Sequence, residues 1–320
     1  MKTNRLTFAI LIFVSICSQL GIAQIRAAGK PKRLTPAGRE FMQPVWSPTG
    51  EWIALTGARY DGIWLVRPDG KKLQQLTTDL AVGYKMKWSP DGKMLTGRAA
   101  KYENQRRYNA IKVYEAATKR ERLLSDFRTM MPGLPQWEDG SQRVALFSDR
   151  GLEFFQVPNA IQKAQGLSKR SLVFASEQGL VVLPAGATTQ RLLQPVKGEV
   201  VNAALSPDGN YIVFEMMNGR LYVCKIDGSA LLDLGRGERP QWSPDGSKIA
   251  FMISSDDGHR LLGADIHVMR ADGSGKINLT NSADRLEMNC TWSPDGKRLA
   301  FDEQNSRAVW VMEVAEVMPR

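Results

Sequence analysis

The chain has 320 residues, of which 43% are hydrophobic and 24% charged, and its formal net charge is +10. These are the proportions of an ordinary globular protein, long enough for one ring of repeated units and little else. The positive balance favours acidic partners, but no single basic stripe gathers it, so nucleic-acid binding is not expected.

Taken from the start, the first 23 residues read as a secretory signal peptide. Lys2 and Arg5 form a positive n-region, Leu6 to Ile16 is apolar, and Gly21-Ile22-Ala23 places small residues at the −3 and −1 positions. Cleavage after Ala23 would leave a short linker over 24–31, a single domain over 32–320 and a charge of about +8. The apolar core is short for a membrane span, although an uncleaved anchor is the alternative. Ile16 is too large to precede a lipidated Cys17.

From Trp46 the chain repeats itself. WSPTG opens at Trp46, WSPDG at Trp88, Trp242 and Trp292, LSPDG at Leu205, and a worn WEDG at Trp137, with spacings of 37 to 68 residues. Within the motif Pro presets φ, Asp can bond its own backbone and Gly accepts positive φ, so each copy is a tight turn between two short apolar runs. A third strand follows in IWLVRPDG (from Ile63), IKVYEA (from Ile111), LYVCKIDG (from Leu221), IHVMRADG (from Ile266) and VWVMEV (from Val309). Three of these end in a second Asp-Gly turn before a fourth strand. Four antiparallel strands per unit predict an all-β propeller. A β-sandwich would explain neither the fixed period nor the recurring tryptophan.

The 68 residues between Trp137 and Leu205 break the rhythm. FSDRGLEFFQVP (from Phe147) and ASEQGLVVLPAG (from Ala175) resemble each other there, and Ala160 to Arg170 has room for one strand at most. Six blades are the first expectation, with a degenerate seventh as the alternative. The last unit lacks a fourth strand, whereas KRLT (Lys32 to Thr35) matches the fourth-strand pattern of QQLT and INLT. The N-terminal segment is therefore expected to complete the last blade and remove an exposed edge.

Chemistry-bearing motifs are sparse. His267 occupies a strand position where sister units carry Trp64, Lys112, Tyr222 and Trp310, and reads as structural. His259 lies in SSDDGHRLLGAD, a long acidic loop that offers at best a weak cation site. Two separated histidines cannot build a histidine-rich zinc centre, and neither a GxSxG nucleophile elbow nor a dinucleotide fingerprint is present. Asp91, Asp208, Asp245 and Asp295 recur at one turn position in different blades, so they are expected to bond turn amides rather than converge on calcium. Cys224 and Cys290 fall in different units and read as buried thiols. No catalytic residues, metal or cofactor are expected.

Antiparallel order sorts the connections onto two faces. The SPDG turns and the second Asp-Gly turns share one face and are stereotyped. The other face carries connections that differ in every unit, including RAAKYENQRRYNA, SDFRTMMPGLP, SSDDGHRLLGAD, NSADRLEMN and PAGREFMQP. Variable loops on a rigid ring are where binding concentrates. Phe41, Met42, Tyr84, Met86, Phe127, Met130, Met131 and Met288, beside Arg39, Arg106, Arg107, Arg128, Arg239 and Arg285, make a mixture suited to a protein interface. The competing expectation is that the Met and Phe side chains pack under their own loops. Trp46, Trp88, Trp137, Trp242 and Trp292 are expected to wedge between blades.

WSPDGSKIAF (Trp242 to Phe251) followed by IHVMRADGSGKINLT (Ile266 to Thr280) resembles the repeat of TolB-type β-propellers. The likeness covers roughly Lys32 to Val314 and is specific for the repeat rather than for a function. It implies a periplasmic propeller that links envelope components. The α/β domain that precedes the TolB propeller is not expected, because the first unit begins close behind the leader. The sequence reading is thus a non-enzymatic, exported, monomeric scaffold for a protein partner. The alternative is a propeller that binds or cleaves a carbohydrate or small molecule, with or without a metal.

Overall fold

The computed structural model describes residues 24–158 and 169–317, and these form seven small antiparallel sheets arranged as the blades of a propeller. The seven-bladed alternative is the one realised. Blade 1 spans Met42–Thr77 and blade 2 Lys87–Leu123, each with four strands. Blades 5 (Val200–Arg236) and 6 (Glu238–Asn278) are also four-stranded. Between blades 2 and 5, the long interval holds two three-stranded sheets, blade 3 (Gln136–Gln156) and blade 4 (Leu172–Leu193). The matching pair GLEFF and GLVVL forms the strand after the hairpin turn in each, so blade 4 retains the second to fourth strands of the pattern. The strand considered for Ala160 to Arg170 falls largely outside the described residues, as does the leader.

Blade 7 is built from both ends of the chain. Glu287–Trp292, Arg298–Glu303 and Ala308–Val317 supply three strands, and Lys32–Arg33 pairs with Val311 and Trp310 as expected. The segment read as a linker contributes as well: Gln24–Ala27 pairs with Val314 to Val317, with Ile25 buried. Its apolar residue enters the core between blades 6 and 7, which makes it part of the clasp rather than a tether.

Every blade packs on the next through its own apolar cluster, and seven clusters close the ring. Sheets covered on both sides need second strands that are apolar throughout, and IALT (Ile53–Thr56) is buried at all four positions. Each Leu, Ile or Phe so buried contributes roughly 1.5–3 kcal/mol. The tryptophans add direction. Trp88 donates Nε1 to Val45 O at 3.0 Å, Trp137 to Lys87 O at 3.0 Å, Trp242 to Ala204 O at 3.1 Å and Trp292 to Gln241 O at 3.3 Å. Each acceptor immediately precedes the equivalent Trp or Leu of the preceding blade. Trp46, at the seam with blade 7, has a buried Nε1 without a partner and carries the Arg298 guanidinium 4.8 Å above its ring.

The SPDG turns are held as their residue types predict. Ser243 Oγ donates to Asp245 Oδ1 at 2.6 Å and accepts Lys248 N at 2.9 Å, while Asp245 Oδ1 also accepts Ser247 N at 3.0 Å. The same three contacts recur around Asp91, Asp208 and Asp295. Although partial burial opposes it, these hydrogen bonds hold the Asp245 carboxyl down at about 2. Gly92 sits at φ +70°, and a Cβ there would meet the Thr49 side chain of the preceding blade at 2.8 Å. The aspartates therefore serve turns spread round the ring.

Two predicted loops are not loops. RAAKYENQRRYNA belongs to a hairpin of two ten-residue strands, Met94–Glu103 and Arg106–Glu115, that turns at Asn104 and Gln105. SSDDGHRLLGAD likewise continues the paired strands Lys248–Asp256 and Leu261–Arg270 around a short turn. Both hairpins lengthen their blades on the variable face, because strand pairing satisfies backbone groups that an irregular loop of this length would leave open.

Candidate functional site

Propeller blades surround a central channel, and the first strands line it here, since Lys85 of blade 2 reaches Asn202 of blade 5. Each runs from the variable face toward the SPDG turn, so the residues just ahead of the tryptophans lie toward the variable-face mouth. Four of them share an unusual backbone. Gln43, Lys85, Arg239 and Asn289 each stand three residues before Trp46, Trp88, Trp242 and Trp292, and have φ of 50°, 51°, 53° and 49°. Left-handed φ in non-glycine residues carries strain and recurs at sites where a side chain must be re-aimed. In blades 1, 6 and 7 the position coincides with a β-bulge, seen as a register shift between Met42 and Val45, Glu238 and Gln241, and Met288 and Thr291.

The left-handed turn frees a backbone N–H, and the preceding blade accepts it. Lys85 N donates to Gln43 Oε1 at 3.0 Å, and Arg239 N to Glu215 Oε2 at 2.7 Å. Gln43 N is bound by the Asp302 carboxylate. Glu215 and Asp302 stand ten residues after Leu205 and Trp292, at the variable-face ends of second strands. Each is also held from across its own blade, by Asn202 Nδ2 at 2.5 Å and Asn289 Nδ2 at 3.1 Å respectively.

The side chains at these left-handed positions reach across the ring. Lys85 Nζ bonds Asn202 Oδ1, linking blade 2 to blade 5, and an Arg239 guanidinium NH bonds Asn289 Oδ1. Tyr60 and Tyr84 close one side with rings 5.0 Å apart in edge-to-face contact. Burial pushes the Tyr60 hydroxyl above its ordinary range, against the Arg239 charge. Burial also lowers Lys85, helped by the Lys87 and Arg239 charges, to about 8. Lys87 is exposed to solvent, and the protein around its ammonium lowers its pKa. Asp302 is pushed up to about 7 by burial, and its Oδ1 is buried without a partner.

The residues predicted to bind a partner divide into three groups. Tyr84 and Arg239 belong to this channel mouth. Arg106, Arg107 and Met130 are exposed on the surrounding rim; Met130 is 63% accessible. Phe127 is half-buried beneath Lys101, whose Nζ lies 4.4 Å from its ring, while Arg39 and Arg285 lie over Trp64 and Trp310. The rest serve packing. Phe41 is buried between blades 7 and 1 against Trp64, Met42 and Met288 are half-buried, and Met86 and Met131 are buried. Arg128 is bound bidentately by Glu153 at 2.7 and 2.8 Å, which occupies it internally. The apolar residues flanking a blade fill the gap beneath its connections, so for Phe41, Met86 and Met131 the packing expectation holds.

Asn202, Glu215, Asn289, Asp302, Gln43 and Lys85 were not singled out by the sequence reading. A signal existed for the first-strand members: the position three before Trp46, Trp88, Trp242 and Trp292 is polar and varied in a motif otherwise uniform, although Leu134 stands there before Trp137. His267 stacks on Phe251 with centroids 5.6 Å apart, and His259 is exposed at its hairpin turn. Cys224 and Cys290 are buried free thiols, raised by burial to about 11 and about 12. Among the described residues no three His, Cys, Asp or Glu side chains are grouped to hold a metal.

No family model matches the sequence, and no curated protein does. Solved structures match its fold. A chain in the crystal structure of a mitotic checkpoint complex is 14% identical, with all of both chains covered and a TM-score of 0.60. A putative TolB from Agrobacterium tumefaciens is 17% identical, covering 92% of this chain and 98% of its own, with a TM-score of 0.55. At such identities the likeness establishes the propeller fold. Among the described residues no helix is long and apolar enough to cross a membrane.

Proposed function

We propose that this chain is a TolB-like, exported propeller of the cell envelope or periplasm that binds a protein partner with its variable face and catalyses no reaction. The observation that carries the reading is the asymmetry of the two faces. One is stereotyped turns locked by Ser–Asp contacts. The other gathers the long hairpins of blades 2 and 6, the strained polar channel mouth and the exposed Tyr102, Met130, Met217 and Leu262. Aromatic, Met and Arg side chains around a recessed polar centre are the composition of a binding surface. The leader-like N-terminus supports export, and the structural likeness to a putative TolB supports the envelope.

Rim substitutions test this. Tyr102→Ala, Arg106→Glu and Met130→Asp alter exposed side chains and should preserve folding, unlike Phe41→Ala. Pull-down from an envelope extract should recover a partner with the parent protein and lose it with the triple variant. Equal recovery by both would remove the variable face from consideration.

A further inference from the structure

The cations of the channel mouth differ from most other enclosed cations of the molecule, Arg98 on the backbone oxygens of Met131, Pro132 and Gly133 being an exception. Lys112 meets Asp79 at 2.8 Å, Lys248 meets Glu316 at 2.9 Å, Arg122 meets Glu115 at 2.6 Å, and Arg128 and Arg143 meet Glu153 and Glu138. Each of these charges is neutralised by a carboxylate. Lys85, Lys87 and Arg239 form no such pair among the described residues. The side-chain acceptors that Lys85 and Arg239 meet are neutral amide oxygens, those of Asn202 and Asn289.

This arrangement is costly unless something completes it. Like charges crowd one another where water is restricted, and amide dipoles compensate only partly. The two carboxylates nearby relieve it only in part, since Glu215 acts on Lys85 and Asp302 on Arg239 through space and neither forms an ion pair with these cations. Glu215 is occupied by Asn202 and the Arg239 backbone, and Asp302 lies behind Asn289 and Gln43 with one oxygen unpaired. The left-handed backbone that Lys85 and Arg239 share with Gln43 and Asn289 holds both cations at the mouth.

We propose that the channel mouth is an oxyanion site, in which Lys85, Lys87 and Arg239 bind a compact carboxylate or phosphate from the variable face. Lys85 and Arg239 would exchange their amide acceptors for anionic oxygens, forming charge-assisted bonds. Asn202 and Asn289 would release only their Oδ1 contacts and keep their NH₂ groups on Glu215 and Asp302, and Tyr60 and Tyr84 would close the side of the site. The oxyanion is either a free small molecule or an acidic group on a peptide. The inference stands apart from partner binding by the rim.

The test is thermal unfolding of the parent protein in citrate, inorganic phosphate, or a penta-aspartate peptide with a penta-serine control, each against chloride at equal ionic strength. A site at roughly a hundredfold saturation should raise Tm by about 5 °C. Lys85→Met and Arg239→Gln should abolish the rise, and Arg106→Gln on the rim should keep it. Response to citrate or phosphate identifies a free oxyanion, and response to penta-aspartate alone an acidic peptide group. Absence of any oxyanion-specific shift in the parent would overturn the proposal, as would an undiminished shift in Lys85→Met or Arg239→Gln. Should a variant fail to fold, titration calorimetry of the parent with citrate, phosphate and penta-aspartate decides: saturable binding supports the site and its absence refutes it.

Discussion

Asp302 offers a quantitative test of the channel chemistry. Its carboxyl is buried, and burial raises it from 3.8 to about 7 despite the Asn289 amide, the Gln43 N–H and the Arg239 charge. The folded protein therefore holds a proton that the unfolded chain has released between those two values. Stability from this group is complete below pH 3.8 and is lost as pH rises through about 7. At 1.36 kcal/mol per unit, the part of that loss falling between pH 5 and pH 8.5 is about 3 kcal/mol. The substitution Asp302→Asn replaces the carboxyl with an amide that does not titrate, and whose carbonyl can still accept from Asn289 and Gln43. The variant should thus unfold with a weaker pH dependence, and be more stable than the parent at pH 8.5. Urea titrations followed by tryptophan fluorescence at both pH values measure the difference, and contributions from Lys85 and other groups cancel in it. Parallel stability profiles for parent and variant would refute the reasoning.

Lys85 titrates with the opposite sign. Its folded pKa of about 8 lies below its unfolded value, so stability should rise between pH 8 and 10.5, and Lys85→Met should be the more stable protein at pH 7 by about 1–3 kcal/mol in chemical denaturation. Phe41→Ala empties a core position between blades 7 and 1 and should cost about 3–5 kcal/mol by the same assay. Trp88→Phe keeps most of the ring but loses the bond to Val45 O, at a cost of about 1 kcal/mol. Ile25→Asp places a charge in the clasp beside blade 6 and should lower Tm by several degrees, whereas a surface-like response would mean that Gln24–Ala27 is dispensable.

The architecture was legible because each repeat carries its own turn chemistry. Pro, Asp and Gly specify a hairpin locally, and a tryptophan at fixed spacing has no use in an isolated blade, so a ring follows from one-dimensional information. The fourth-strand pattern of Lys32 to Thr35 revealed the clasp for the same reason. Blade 4 was harder to read, since it carries neither Trp nor SPDG, and only the likeness of its hairpin to that of blade 3 marked it. The candidate site lay beyond local reading. Phe41 and Met130 look alike as loop residues, and only packing against a neighbouring blade separates the buried one from the exposed one. Gln43, Lys85, Arg239 and Asn289 occupy equivalent repeat positions, so the sequence determined that the ring would hold them at one level. That Arg239 meets Asn289 and Lys85 meets Asn202, leaving these two cations without a carboxylate partner and Asp302 with an unpaired oxygen, was decided only by closure of the ring. Electrostatic environment depends on which residues of distant blades share a volume, and no single repeat encodes that.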